Sequence, residues 1–181
     1  RPRPSPTIHS YPGPPVETPT RMDLQLGGDA ALVTASSSGL GKASARALAA
    51  EGSNVVLNGR DEERLAAAVE DVRDDAADGA TVIGHAADIT DPDAVEELVE
   101  RPVAEFGRLD HLATSAGGPP TKPFLETTDE EWYDAIDLLV MSVVRAVRAA
   151  APHLRADGGG TIVTITSITV KEPKDNLVLS N

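Results

Sequence analysis

Residues Thr34–Ser38 (TASSS) contain nothing large, and Gly39, Leu40 and Gly41 follow directly. Small side chains let a backbone turn tightly and approach a ligand closely. The apolar run before them, Ala30–Val33, reads as a short strand of the kind a parallel sheet buries on both faces. Lys42–Glu51 (KASARALAAE) after them is a strong helix former. Such a turn between a strand and a helix N-terminus is where a pyrophosphate sits, held by free N–H groups and the helix dipole. Thr34, Ser36, Ser37, Ser38, Gly39, Leu40 and Gly41 are therefore the first candidate binding residues. The usual G-x-G-x-x-G fingerprint is absent, so a purely structural turn is the competing reading.

The elements that must position this turn recur along the chain. Further strands are predicted at Val55–Leu57, Thr81–His85, Leu109–Ala113 and Gly160–Ser167. Helical stretches separate them, one beginning near Pro92 and one running over Asp129–Leu154. Strands alternating with helices predict a single α/β domain, a doubly wound parallel sheet.

These motifs, taken together, resemble the short-chain dehydrogenase/reductase family over Leu26 to Asn181. Thr34, Gly39 and Gly41 match its T-G-x-x-x-G-x-G turn, while Ala35 stands where the first glycine falls. The added methyl is tolerable at negative φ and otherwise costs on the order of 1 kcal/mol. The resemblance implies a Rossmann fold with strands in the order 3-2-1-4-5 and a nicotinamide dinucleotide as cofactor. An NAD-selective enzyme places an acidic residue on the adenosine ribose at the position held here by Gly59. Asn58, Gly59 and Arg60 stand there instead, and the Arg60 guanidinium suits a 2′-phosphate, so NADP(H) is expected over NAD(H). Arg60 paired with a neighbouring acid is the other reading; Asp61 is expected to cap the next helix. Asp88 and Ile89 match residues that flank the adenine, although Asp88 and Asp91 also suit the cap of the helix near Pro92. Thr114-Ser115-Ala116-Gly117 stands where the family reads N-N-A-G under the cofactor, which adds Ser115, Ala116 and Gly117 to the candidates. Trp132 fits the start of the long helix.

The resemblance also implies a catalytic centre, and here the chain departs from it. Ser167 matches the serine that hydrogen-bonds the substrate carbonyl. The proton-donating tyrosine is expected about thirteen positions later, where the residue is Ser180. Tyr11 and Tyr133 do not fit by spacing, and Leu139 replaces the asparagine of the proton relay. The ending N-L-x-L-S-N looks like a divergent branch, and a serine hydroxyl is a far poorer acid than a phenol of pKa about 10. The implied function is an NAD(P)-dependent oxidoreductase acting on a small carbonyl or alcohol, with 3-oxoacyl reduction among the options. The alternatives are a non-catalytic NADP-binding sensor or regulatory protein, or an inactive fragment.

Composition narrows the class. Cysteine is absent, and His9, His85, His111 and His153 show no ligand spacing, so no metal is expected. A net charge of −13 argues against nucleic acid or an anionic membrane as partner. Only four of the sixteen basic residues are lysine, a surface suited to a high-salt cytoplasm, which predicts a halophilic source. No apolar run approaches the roughly 18 residues that span a bilayer, and a cytoplasmic location is expected. Residues 1–21 are proline-rich without periodicity and are expected to form a disordered leader, with the folded domain over 22–181. Asn181 falls where the family's catalytic helix begins, so the chain is expected to be truncated, with strand 5 an exposed edge. Helix Asp129–Leu154 corresponds to the family's dimer surface, so the full-length protein is expected to be a homo-oligomer.

Overall fold

The structure, a computed structural model, describes residues 24–156 and 158–180. The proline-rich leader, with Tyr11 and His9, and Asn181 lie outside the described residues.

Five strands, β1 (Ala30–Val33), β2 (Asn54–Gly59), β3 (Val82–Ala86), β4 (His111–Thr114) and β5 (Thr161–Thr164), form one sheet. All neighbours are parallel and the order is β3-β2-β1-β4-β5, as the resemblance implied. Every residue of β1 is fully buried because helices cover both faces. Ala31, Val33, Val55 and Leu57 pack against α1 (Gly39–Ala50) and α2 (Glu62–Arg73). Leu32, Val56 and Leu112 turn the other way, onto α3 (Pro92–Phe106) and α5 (Ser142–Ala156). This two-residue alternation gives the sheet two cores, each buried Val or Leu contributing about 1.5–3 kcal/mol.

Element ends differ from expectation for local reasons. Helix α1 begins at Gly39 rather than Lys42, so both glycines lie in its first turn. Strand β2 extends to Gly59 because that residue still pairs with Ala86. Strand β5 ends at Thr164, which leaves Ser167 beyond the sheet as the N-cap of a short 3₁₀ turn, Ile168–Val170. The long helix is interrupted. Helix α4 (Asp129–Ile136) is followed by a π-helical turn, Asp137–Met141, before α5 resumes. From the first residue of α5 the Ser142 hydroxyl donates back to the Leu138 carbonyl within that turn, which competes with the regular ladder.

Strands β1 and β4 are neighbours in the sheet but run off to opposite sides of it, so their carboxyl ends frame the crevice where open α/β sheets bind ligands.

Candidate functional site

The turn after β1 is held from three sides. The Thr34 hydroxyl donates to the Ser115 carbonyl at 2.7 Å and accepts from the Ser115 N–H at 2.9 Å, which closes the β1 and β4 ends together. The Ser36 hydroxyl donates to Val33 O at 2.7 Å and accepts from the Asn58 N–H at 2.9 Å. The Ser36 N–H donates to Asn58 O at 2.7 Å. The Asn58 amide completes the frame: its Oδ1 accepts from the Ala35 N–H at 3.0 Å, and its Nδ2 donates to Ala87 O at 3.0 Å.

Thr34, Ser36 and Asn58 are thus buried and engaged with backbone. Their hydroxyl and amide groups position the turn by satisfying main-chain groups that would otherwise be orphaned. Ala35 adopts φ 46°, the left-handed region, so its methyl falls on the costly branch of the expectation, about 1 kcal/mol. Gly41 is required by contact: a Cβ there would lie 2.7 Å from the Ala35 carbonyl oxygen.

Helix α1 begins differently from its neighbours. Asp61 caps α2, Asp91 caps α3 and Thr128 caps α4, each by accepting a first-turn N–H. Ser38, the N-cap of α1, makes no such bond, and no acidic residue stands in the first turn. The Ser38 hydroxyl instead accepts from Arg64 Nη2 at 3.5 Å. An uncapped N-terminus beside a close glycine contact fits an anionic pyrophosphate.

Beyond β2, Arg60 is 75% exposed and its Nη1 lies 3.6 Å from Asp88 Oδ2. Burial pushes the Asp88 carboxyl up, but the Thr90 N–H and hydroxyl and the Arg60 charge outweigh it, so its pKa lies below the usual value. Asp91, not Asp88, caps α3; Asp88 closes a local turn through Thr90. Ile89 is buried in the core. Ser37, Ser38, Gly39, Leu40, Arg60, Ala116 and Gly117 remain accessible around the crevice.

Ser167 and Ser180 do not bond to each other; Thr169 joins their segments. Its N–H reaches Ser167 Oγ at 3.2 Å, and its hydroxyl lies 3.1 Å from Ser167 Oγ and 3.4 Å from the Ser180 carbonyl. The Ser180 hydroxyl donates to Leu177 O at 3.2 Å. A bridge between Lys122 and Leu177 ties this segment to the loop after β4. Sequence reasoning missed Thr169, although Ser-x-Thr at a strand end is a pattern that bonds its own backbone. Leu139 sits half-buried in the π-helical turn, and Tyr133 is exposed on α4.

Known proteins match this arrangement. The family model for short chain dehydrogenases covers residues 29–179. The chain belongs to that family. An uncharacterized oxidoreductase of Bacillus subtilis, YvrD, is 36% identical over 157 residues, 87% of this chain and 58% of that protein. A Staphylococcus aureus protein named 3-oxoacyl-[acyl-carrier-protein] reductase is 32% identical over 139 residues, 76% of this chain and 55% of that one. L-sorbose reductase from Gluconobacter frateurii, solved with NADPH and L-sorbose, superposes with a TM-score of 0.82 at 35% identity, over 88% of this chain and 60% of that one. The chain therefore spans little more than half the length of these proteins. No helix among the described residues is long and apolar enough to cross a membrane.

Proposed function

We propose that this chain binds NADP(H) in the crevice after β1 and belongs to an oxidoreductase acting on a small carbonyl or alcohol. The observation that carries the reading is the uncapped N-terminus of α1 at the switch point of the sheet, with Arg60 exposed just past the end of the neighbouring β2. The first-turn N–H groups of Gly39, Leu40 and Gly41, with the Ser37 and Ser38 hydroxyls, take the pyrophosphate. Arg60 leaves Asp88 for the 2′-phosphate, exchanging an exposed carboxylate for a bidentate dianion. Ala116 and Gly117 pass beneath the cofactor, and Asp88 and Ile89 border the adenine. When bound, NADPH supplies the hydride.

Ser167 supplies the hydrogen bond to the substrate oxygen. It accepts the Thr169 N–H, and with the Thr169 hydroxyl also donating to it, its own proton is left for that oxygen. Ser180 is a poor direct acid, and proton delivery there passes through water or comes from the substrate. Candidate substrates include 3-oxoacyl thioesters, in keeping with the name of the Staphylococcus aureus relative. Oxidation of NADPH with a panel of aldehydes, ketones and acyl thioesters tests the reading.

One observation favours a second reading, a dinucleotide-binding protein without turnover. The Ser180 hydroxyl is committed to the Leu177 carbonyl, and Leu139 stands where a relay residue is expected. NADPH binding without turnover on any of the panel selects it.

Two finer proposals concern the surface. Ile136, Val140 and Val144 lie exposed along α4, the π-helical turn and α5, and form the face for a second copy. Sedimentation that shows a dimer lost on Val140→Asp supports this; a monomer throughout contradicts it. The net charge of −13 and scarcity of lysine fit a high-salt cytoplasm, where melting temperature rises between low and molar KCl.

A further inference from the structure

Thr169 lies in the 3₁₀ turn that follows β5 and is only 4% exposed. A side chain so covered does not meet a substrate, and its hydroxyl must be satisfied within the protein. Two acceptors stand within reach, Ser167 Oγ at 3.1 Å and the Ser180 carbonyl at 3.4 Å. A threonine hydroxyl carries one proton, so the two compete for it.

The two choices differ in what they leave to Ser167. Its Oγ already accepts the Thr169 N–H at 3.2 Å, which fixes the direction of the serine side chain. When the Thr169 hydroxyl donates to it as well, both acceptor positions of Ser167 are filled and its own proton is left over. A hydroxyl that accepts hydrogen bonds is polarised by them and becomes a stronger donor. When the Thr169 proton goes to the Ser180 carbonyl instead, the Thr169 oxygen is free to accept, and the Ser167 hydroxyl stands 3.1 Å from it. The Ser167 proton is then used inside the protein.

The competing carbonyl is held in place. The Ser180 N–H donates to Leu177 O at 2.9 Å, Leu179 is buried, and Leu177 bridges to Lys122 in the loop after β4. The shorter distance favours Ser167 as the partner.

We propose that Thr169 is a positioning residue, whose buried hydroxyl donates to Ser167 in preference to the Ser180 carbonyl and so frees and strengthens the Ser167 proton for the substrate oxygen. The inference rests on the oxidoreductase reading above. The role belongs to the hydroxyl, because the N–H that orients Ser167 is backbone and survives a change of side chain.

Thr169→Val removes the hydroxyl and keeps the branched shape. In the full 181-residue chain it is expected to lower kcat for NADPH oxidation with the carbonyl panel about five- to tenfold, with KM for NADPH unchanged. Thr169→Ser keeps the hydroxyl and is expected to stay within about twofold of the unsubstituted chain. In a Ser167→Ala background, Thr169→Val is expected to cost less than about twofold, because the group it acts through is gone. A merely structural role would lower both backgrounds alike. Melting temperature reports folding; if Thr169→Val melts far lower, Thr169→Ala carries the same expectation.

The proposal is overturned if loss of the hydroxyl leaves kcat unchanged, if the loss is equal in the two backgrounds, or if Thr169→Ser is as slow as Thr169→Val. No turnover by the unsubstituted chain removes the oxidoreductase reading and the role of Thr169 with it. Turnover that is indifferent to the Thr169 hydroxyl removes this role alone.

Discussion

The turn after β1 and the turn after β5 both lead from a parallel strand into serines, yet they are built in opposite ways. Strand β1 is wholly buried, and the polar side chains of its turn are cross-linked to β2, β3 and β4 ends. Strand β5 is an edge strand among the described residues, with Ile162 and Val163 exposed and Ser167 held only through its own 3₁₀ turn. The first turn is a frame whose polar side chains are buried and bonded to backbone. The second is a lighter tether, in which Ser167 Oγ accepts from the Thr169 N–H and hydroxyl. On the proposed reading, the more heavily bonded turn is the one that places the cofactor, and the chemistry falls to a segment with fewer supports.

The comparison breaks most sharply at Asn58. Asn58→Ala orphans the Ala35 N–H and the carbonyls that the amide serves, and is expected to cost about 3 kcal/mol in urea denaturation. A loss below about 1 kcal/mol would show that the frame is not rigid. Ser167→Ala is expected to do the reverse, lowering kcat about a hundredfold in NADPH oxidation while melting hardly changes. Equal losses of stability and activity at Ser167 would erase the contrast.

Smaller effects sharpen it. Ala35→Gly relieves the left-handed alanine at φ 46° and is expected to raise stability by about 1 kcal/mol, read by the same denaturation. Acid is expected to weaken the base of the sheet. Burial pushes the Asp110 carboxyl up, but Arg108 and the Ala30 N–H bonded to it bring its pKa below the usual value. Its stabilisation is then complete above an unfolded pKa of about 3.9 and is lost as pH falls through the lower folded pKa. Asp110→Asn is expected to flatten that acid limb, measured as melting temperature against pH.

Much of this contrast was legible in the residues themselves. The run Ala30–Val33 is apolar and short, and small residues follow it, so strand, turn and helix were readable in order. The sheet order followed from the resemblance and is the order observed. Less legible was what each polar residue in the turn does. That Thr34, Ser36 and Asn58 bond the main chain of neighbouring strand ends could not be read from the sequence, because side-chain type does not reveal which way a side chain points. Ala35 illustrates the same limit, since its cost depended on a φ angle that no spacing reports. The π-helical turn at Asp137–Met141 was not legible because it lies inside a continuous helical pattern.

The most direct measurement is the affinity of the 181-residue chain for NADPH and NADH, with and without Arg60→Ala, by nicotinamide fluorescence. The account predicts that NADPH binds more tightly than NADH, and that Arg60→Ala weakens NADPH about tenfold while leaving NADH unchanged. Binding of neither dinucleotide, or an NADPH affinity indifferent to Arg60, would contradict it.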